Sequence, residues 1–337
     1  MLSKNSIEVS KLIKEYGDFT AVNGISFNVK KGEIFGLLGP NGAGKTTTVH
    51  ILTTIIDKTS GEAEVAGFDV SKDKDAVRAH IGIVFQDPSI DDRLTGYENL
   101  ELHAMMYSID KETRTKRIKE MLEMVELSDK ANVVMSNYSG GMRRRLEIAR
   151  GLLNEPNVLF LDEPTVGLDT QTRRHILEYI KKLNEKYKLT VLLTTHYIEE
   201  ADYLCDRVAI IDHGKIVVCD TPQKLKEGLH GDIIKITMKT EKEISELDKA
   251  LKGFKNVSSF RVDEADKKVA YINVLETGSD LPKIIEQAFK KKLNITSIDI
   301  RKPSLEDVFI HYTGKSIRDE EAAGNEMMQS IVRSRMR

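Results

Sequence analysis

The sequence predicts an α/β fold with a mostly parallel sheet, followed by a small α+β domain of the ferredoxin-like type. Three observations lead to this prediction. Short continuous apolar runs, typical of buried parallel strands, alternate with helical segments over residues 1–229. A glycine-rich loop stands between one such run and a helix. Beyond residue 230, alternating strands and helical stripes follow one another in the order β-α-β-β-α-β.

The length of 337 residues suffices for one large and one small domain. We assign residues 1–229 to the first, 230–313 to the second, and 314–337 to a polar tail that we expect to be disordered. The tail's apolar residues near a basic end leave open a docking helix as the alternative.

The charge and the apolar content of the chain limit the classes of function that it can have. Lysine and arginine number 51 against 53 acidic residues, a net charge of −2, so the composition gives no reason to expect nucleic-acid binding. No apolar run reaches the ~20 residues that cross a bilayer, and the start lacks a signal peptide. Cys205 and Cys219 are expected to be free thiols. We therefore expect a cytosolic chain, with any membrane part supplied by another chain.

The first elements are strands between residues 7 and 40. The segment ISFNVKKGE alternates Ile25, Phe27 and Val29 with polar neighbours and is preceded by the strand IEVSKLIKEYG. The run IFGLLG is short, apolar and continuous, as in a strand covered on both faces. The segment TTTVHILTTII after the glycine loop is predicted to be a helix.

A helical insert is predicted at about 89–150. GYENL opens its first helix, and Ile118, Leu122 and Val125 lie at helical spacing in the next. RRRLEIARGLL continues as a helix, with the run 143–145 interpreted as a solvated face with ion pairs. After it, the strands VLFLDEP and TVLLTTH flank the helix RRHILEYIKKLNEKY. This alternation places a parallel sheet at the centre of the large domain.

The small domain is predicted from alternation and helical stripes. DIIKITMK, VSSFRV, KVAYINV and ITSIDIR alternate as strands. Two helices separate them, before and after the central strand pair. The predicted inward positions are Ile234, Ile236 and Met238 on the first strand, Ile244, Leu247 and Leu251 on the first helix, and Ile285, Phe289 and Leu293 on the second.

The glycine-rich loop is the strongest functional signal, and its residues are Gly39, Pro40, Asn41, Gly42, Ala43, Gly44, Lys45 and Thr46. Backbone amides approach a polyphosphate only where side chains are absent, and the helix that follows adds its dipole. Lys45 supplies a cation for the β- and γ-phosphates, and the Thr46 hydroxyl is placed to ligate Mg²⁺. Together with Thr47, these residues are predicted to bind ATP.

A carboxylate pair follows the apolar strand VLFLDEP. Asp162 stands where a Mg²⁺ partner is expected, and Glu163 is placed to orient and deprotonate the attacking water. Adjacent acids at a strand end are usually only solvated. The preceding buried run and the following Pro164 favour the functional interpretation.

With these motifs the chain resembles the ATP-binding subunits of ABC transporters over about residues 7–225. The further matching motifs are Tyr16, Gln86 in VFQDP, the signature YSGGM from Tyr138, the D-loop Gly167-Leu168-Asp169, and His196 after LLTT. The resemblance implies a P-loop ABC ATPase core with a helical subdomain.

The resemblance also implies roles for single residues. Tyr16 stacks on adenine, although an aromatic near a turn often packs locally instead. Gln86 contacts Mg²⁺ and water and senses a membrane partner. His196 bonds the γ-phosphate and holds the attacking water, although a lone histidine is more often a packed residue.

The signature implies two copies of the chain. Ser139 offers a hydroxyl, Gly140 and Gly141 offer unobstructed amides, and the helix behind them adds its dipole. In the family these donors reach the γ-phosphate of the opposite subunit, so the resemblance implies a homodimer closed on two ATP molecules. Tyr138 and Met142 depart from the commonest pattern but leave the Ser-Gly-Gly core intact.

The segment PSLEDVFIHYTG, together with YSGGMRRRLEIARGLL, resembles the drug-resistance branch of ABC-2-type exporters, similar to daunorubicin-resistance ATP-binding subunits. This resemblance implies a separate integral-membrane permease and outward transport of hydrophobic drugs or lipids. It also implies a peripheral location at the cytoplasmic face of the cell membrane. The second domain either braces and regulates the dimer or only stabilises the first domain.

Two other classes of protein are the alternatives. A soluble ABC ATPase of translation or repair would share the ATP site, but translation types usually carry two cassettes and repair types a long coiled coil. This chain has one cassette and no sustained heptad run. A non-hydrolysing regulatory subunit is the other alternative, and the presence of Glu163, Gln86 and His196 argues against it.

Overall fold

The computed structural model describes residues 4–263, 266–315 and 317. The chain divides into two compact units. The first unit runs to Pro222 and resumes at Tyr312, and the second unit is Gln223–His311. The tail predicted for 314–337 lies outside the described residues, apart from 314, 315 and 317. None of the helices in the described part of the chain has the length and apolar character that spanning a bilayer requires.

The strands are β1 (Asn5–Tyr16), β2 (Phe19–Lys30), β3 (Ile34–Leu38), β4 (Ser60–Val65), β5 (Phe68–Asp69), β6 (Ile81–Val84), β7 (Val158–Asp162), β8 (Thr190–Thr195), β9 (Arg207–Asp212), β10 (Lys215–Asp220), β11 (Asp232–Met238), β12 (Val257–Val262), β13 (Val269–Val274) and β14 (Ile295–Arg301). The helices are α1 (Lys45–Leu52), α2 (Lys74–Ala79), α3 (Gly96–Met106), α4 (Lys111–Met124), α5 (Gly140–Leu152), α6 (Thr170–Tyr187), α7 (Ile198–Leu204), α8 (Pro222–Glu227), α9 (Glu241–Leu251), α10 (Thr277–Lys290) and α11 (Leu305–Thr313).

The central sheet of the first unit has the order β10-β9-β3-β8-β7-β6. All its neighbours pair in parallel except β10, which pairs antiparallel with β9 at one edge. Every residue of β3, β7 and β8 is buried, which explains their continuous apolar runs. Because parallel strands end at one edge, the loops after β3, β7 and β8 meet there.

A second sheet of the first unit is antiparallel, with the order β2-β1-β4-β5. Ile7 on β1 pairs with Val29 on β2 and with Val65 on β4, and all three side chains are fully buried. The predicted alternation of Ile25, Phe27 and Val29 is confirmed, since each of these side chains is buried. This sheet shares a core with the central sheet, including stacked Phe27 and Phe35 rings 5.3 Å apart.

The helical part consists of α3, α4 and α5. Thr95 caps α3 in a reciprocal arrangement with Glu98, so this helix begins where GYENL was expected to open it. The predicted stripe of Ile118, Leu122 and Val125 is buried in a core that also includes Leu100 on α3. These contacts join the three helices into one small subdomain.

A close backbone contact seats α5 against the central sheet. A Cβ atom at Gly82 on β6 would lie 1.9 Å from the carbonyl oxygen of Gly151 on α5. A larger residue at Gly82 therefore requires the helix to move away from the strand.

The interpretation of the basic run on α5 is wrong for Arg144, although the expected ion pairs are present. Arg144 is only 7% exposed, whereas a solvated helix face was expected. Arg143 and Arg145 are half-buried and pair with Asp92 and Glu126. The charge of Arg144 is compatible with burial because backbone carbonyls and a carboxylate surround it.

The second unit has four antiparallel strands in the order β12-β13-β11-β14, with α9 and α10 between them in the chain. This order confirms the ferredoxin-like prediction. The side chains of Ile234, Ile244 and Ile272 are buried in its core.

The prediction for α10 is confirmed at Leu293, which is buried just after the helix, and wrong at Phe289. Ile284 and Ala288 are fully buried, whereas Phe289 is 74% exposed and Ile285 is half-buried. Two neighbouring faces of this helix carry apolar residues at four-residue steps: Ile284 and Ala288 lie on one, and Ile285 and Phe289 on the other. Periodicity within so short a helix does not fix which row faces the sheet.

Candidate active site

The glycine-rich loop turns between β3 and α1. Asn41 and Gly42 are exposed at its tip, while Ala43 and Gly44 are buried. Gly42 and Gly44 have φ angles of 83° and 101°, which favour glycine. A Cβ atom on Gly44 would lie 2.4 Å from the carbonyl oxygen of Ala21 on β2. The antiparallel sheet therefore lies directly against the loop.

Lys45 begins α1 and lies inside the loop, with only 4% of the residue exposed. Its ammonium group donates to the carbonyl oxygens of Gly39 at 2.8 Å and Pro40 at 3.0 Å. The same group lies 3.2 Å from a carboxylate oxygen of Glu163. A buried cation is thus held at the point where the loop amides and the strand-end acids converge.

Asp162 ends β7 and is 1% exposed. Its Oδ1 atom accepts hydrogen bonds from the hydroxyls of Thr46, at 3.2 Å, and Thr194 on β8. Thr47 follows Thr46 on α1, and both are half-buried. The Thr46 hydroxyl and the Asp162 carboxylate are the hard oxygen ligands that Mg²⁺ prefers, so these residues fit that ion.

Glu163 follows β7 in a left-handed conformation with φ of 46°. Its amide donates to the Thr194 hydroxyl at 3.0 Å. Its carboxylate lies 3.2 Å from Nδ1 of His196, opposite the contact with Lys45. Burial raises the pKa of Glu163, but the hydrogen bond from His196 and the charge of Lys45 outweigh burial and hold the pKa below its usual value. The carboxylate is therefore ionised at neutral pH and able to accept a proton.

A buried carboxylate that the sequence reasoning missed lies beside these groups. Glu200 on α7 is 1% exposed and accepts hydrogen bonds from the hydroxyls of Thr165 and Thr195. Arg173 on α6 lies 3.7 Å away. Burial raises the pKa of Glu200, and the two hydroxyl donors partly offset that effect. Glu200 directly follows Glu199 in the sequence, and no local pattern separates the two. Only the burial of Glu200 in the folded chain distinguishes it.

Tyr16 and Gln86 are placed at the margins of this group. Tyr16 ends β1 and is 50% exposed, beside Phe19 at 63%, with the Lys14 ammonium 4.9 Å from the Tyr16 ring centre. Gln86 follows β6 by two residues and is exposed. Beside Gln86 in the chain, the Phe85 carbonyl accepts a hydrogen bond from Arg144 at 2.6 Å.

The signature residues open α5. Ser139 is the N-cap, and its hydroxyl accepts a hydrogen bond from the Met142 amide at 3.3 Å. A hydroxyl that accepts retains its own hydrogen to donate. Gly140 is exposed, and a Cβ there would lie 3.3 Å from the Leu168 side chain of the D-loop.

Gly141 packs against the start of α6. A Cβ atom on Gly141 would lie 2.5 Å from the Thr172 side chain. Asp169 of the D-loop caps α6 by accepting from the Thr172 amide at 3.0 Å. The structure therefore brings the signature beside the D-loop, whereas Lys45, Asp162, Glu163 and His196 form a separate cluster with the phosphate loop.

Fold and site together define a class: a P-loop ATPase with a helical subdomain and a signature helix. A model of the ABC transporter family matches residues 22–166, and a model of the ATP-binding protein DrrA1-3-like C-terminal domain matches residues 221–313. The chain belongs to the ABC transporter family, among its ATP-binding subunits. It is an ATPase of that family, as the sequence predicted.

Among its relatives are two resistance proteins. The chain is 38% identical to the linearmycin resistance ATP-binding protein LnrL of Bacillus subtilis, over 93% of this chain and 100% of that protein. It is 36% identical to the daunorubicin resistance ATP-binding protein DrrA3 of Streptomyces coeruleorubidus, over 96% of this chain and 100% of that protein.

A similar solved structure is a dimeric post-hydrolysis state of the ATP-binding cassette MJ0796 bound to ADP and Pi. It has a TM-score of 0.57 and 32% identity, and the match covers 64% of this chain and 98% of that chain. The predictions of family and fold class are confirmed.

Proposed function

We propose that this ATPase powers an exporter of hydrophobic drugs or lipids and works as a homodimer beside an integral-membrane permease. As an ATP-binding subunit of a transporter, it serves a membrane partner. The names of its relatives, which refer to resistance against linearmycin and daunorubicin, support export of such molecules. We place the chain at the cytoplasmic face of the membrane, where ATP is available.

The observation that carries the proposal is the buried cluster of Lys45, Asp162, Glu163 and His196 at the ends of β3, β7 and β8. We assign phosphate binding to Lys45 and the amides of residues 39–47. Glu163 is assigned as the general base, because its carboxylate is ionised, buried and bonded to His196.

Thr46, Asp162 and Gln86 are assigned to Mg²⁺, which when bound neutralises the charge of the β- and γ-phosphates. His196, whose Nδ1 lies 3.2 Å from the Glu163 carboxylate, is assigned to orient that carboxylate and to bond to the γ-phosphate. Tyr16 is assigned to adenine, and its half-exposed ring leaves a face for stacking.

Ser139, Gly140 and Gly141 are assigned to the γ-phosphate held by the second copy. Support comes from their position at an exposed helix N-terminus and from the dimeric state of the similar cassette. Residues 1–229 form the ATP-binding domain in this proposal, and residues 230–313 form an accessory domain.

A candidate surface for the permease lies at the end of α3. Four large apolar side chains are exposed there, namely Leu102, Met105, Met106 and Tyr107, at 49%, 54%, 75% and 37%. Contiguous exposed apolar residues mark protein interaction sites. This surface belongs to the helical insert, which follows Gln86 in the chain and is therefore suited to pass movement between the ATP site and a membrane helix.

The test is copurification of the tagged chain with an integral-membrane permease from solubilised membranes. We expect Met106→Glu to abolish copurification and transport, because it places a charge in the apolar surface, and to leave the ATPase rate of the purified chain unchanged. Phe289→Glu is the matched control, since Phe289 is equally exposed at 74% but lies on α10. Copurification of the Met106→Glu chain at the wild-type level would refute this surface.

A further inference from the structure

The guanidinium of Arg144 lies at the centre of a buried hydrogen-bond network. Arg144 is on α5, five residues after the signature Ser139, and is 7% exposed. A guanidinium has five N–H donors. Its Nε atom donates to the Pro164 carbonyl at 2.6 Å, and Nη1 donates to the Phe85 carbonyl at 2.6 Å and to Glu147 at 2.8 Å.

The remaining nitrogen, Nη2, reaches the two proposed site acids through their backbone. It donates to the carbonyl oxygens of Asp162 and Glu163, at 3.2 Å each. Arg144 thus bonds to the acids without touching their carboxylates. Five acceptors from three segments match the five donors, so a lysine with a single ammonium cannot reproduce the set.

The backbone that Arg144 holds is strained. Glu163 is a non-glycine residue with φ of 46°, a conformation that persists only where surrounding contacts fix it. Its amide is fixed by the Thr194 hydroxyl at 3.0 Å, and its carbonyl by Arg144 at 3.2 Å. The carbonyl also accepts from the Val166 amide at 3.3 Å. Loss of the Arg144 contact therefore loosens the backbone that positions the carboxylate, while Lys45 and His196 still bind the carboxylate itself.

The same network fastens the loop around Gln86 to α5. Glu147, itself 2% exposed, accepts from the Ser89 amide at 3.0 Å. Arg150 donates to the carbonyl and hydroxyl oxygens of Ser89. Together with the Arg144 bond to the Phe85 carbonyl, these contacts anchor the loop on both sides of Gln86.

We propose that Arg144 is a positioning residue for ATP hydrolysis. It holds Glu163 in its strained backbone conformation and joins the loop of Gln86 to the helix that begins at the signature. Movement of α5 is thereby passed to the base and to the loop together. This inference rests on the proposed role of Glu163 as general base.

The test compares Arg144→Lys with Arg145→Lys, which is the same change one residue along α5. Arg145 bonds to the Val125 carbonyl at 2.8 Å and to Glu126, away from the acids. We expect Arg144→Lys to lower kcat by about 100-fold, the order seen for a small misplacement of a catalytic group. ATP affinity, titrated without Mg²⁺, stays at the wild-type value because Lys45 and the loop are untouched. Arg145→Lys keeps both values.

Chemical rescue separates positioning from general stability. In Arg144→Ala, added guanidinium restores part of the lost rate and methylammonium does not, because only the planar cation refills the donor set.

Two results overturn the inference: a wild-type kcat in Arg144→Lys, or a parallel loss of ATP affinity and kcat without rescue. An inactive wild-type chain would instead contradict the ATPase function itself, and a rate unaffected by Glu163→Gln would contradict the proposed base. If Arg144→Ala does not fold, the lysine variant alone decides.

Discussion

At the scale of single residues, the site depends on a buried ion pair between Lys45 and Glu163. Both residues are almost fully buried, and their charged atoms lie 3.2 Å apart. A buried charge is tolerated only with partners, and His196 and the loop carbonyls supply them. The two proposed roles, phosphate cation and base, are therefore coupled through one contact.

Lys45→Ala removes the cation that we assign to the phosphates. We expect ATP affinity to fall by about 10- to 100-fold, which corresponds to the ~1.5–3 kcal/mol of a hydrogen bond to a charged group. Equilibrium titration with ATP measures it. Thermal unfolding of the same variant is the control, because the change also leaves Glu163 with one partner fewer. Unchanged affinity in a folded variant would remove Lys45 from the phosphate site.

Glu163→Gln removes the proposed base but keeps the shape of the side chain. We expect kcat to fall by about 100- to 10,000-fold, the range for a lost general base, with ATP affinity retained. Phosphate release under saturating ATP measures the rate. Glu199→Gln, at an exposed position of α7, is the matched control and keeps the wild-type rate. Hydrolysis by Glu163→Gln at the original rate would exclude Glu163 as the base.

The site residues whose positions the sequence predicted best are those that belong to a motif and directly follow a strand. The positions of the phosphate loop, Asp162 and Glu163 could be predicted because they follow apolar runs, and that of His196 also because of its register with the family motif. Arg144 and Glu200 were missed, because their importance arises from burial between distant segments and not from local pattern. An arginine in a basic run looks like a surface residue until its acceptors are known.

At the scale of elements, the apolar runs made β3, β7 and β8 predictable, since strands buried on both faces are mostly apolar along their length. The strand β4 has no such signal, because Glu62 and Glu64 occupy exposed positions on it, and β5 is only two residues long. The helix α1 ends at Leu52, four residues before the predicted end, where Thr54 takes a φ of 64°. A left-handed residue of this kind is not evident from composition.

The helix α3 gives an element-scale prediction about pH. Burial and the charge of Arg150 lower the pKa of His103 from 6.5 to about 4. Between these two pKa values the unfolded chain binds a proton at His103 and the folded chain does not. The contribution of His103 to the free energy of unfolding is therefore complete above pH 6.5 and is lost as the pH falls toward 4. We expect His103→Gln to lessen this loss.

Urea unfolding of the wild type and the variant, at about pH 7.5 and about pH 5, measures the effect. His175→Gln on α6 is the control, because His175 is exposed and its replacement should leave the pH dependence as it is. Equal pH dependence in wild type and His103→Gln would show that His103 is not the group responsible.

At the scale of the whole molecule, the second unit has its own hydrophobic core. Buried residues of β11, β13, α9 and α10 form this core. We expect a fragment of residues 223–317 to unfold in one cooperative transition, measured by circular dichroism during heating. Ile236→Ala, which empties part of the core, should lower the midpoint. A fragment without a transition would show that the unit depends on the rest of the chain.

The central claim is that one chain supplies the phosphate loop and Glu163, and a second copy supplies Ser139, Gly140 and Gly141. The most direct measurement is the mass of Glu163→Gln by light scattering with and without ATP. Our account predicts a monomer without nucleotide and a doubled mass with ATP, because the complex closes and hydrolysis does not release it. The double variant Glu163→Gln with Gly141→Glu should bind ATP and stay monomeric. A Glu163→Gln chain that keeps the monomer mass at saturating ATP would contradict the account.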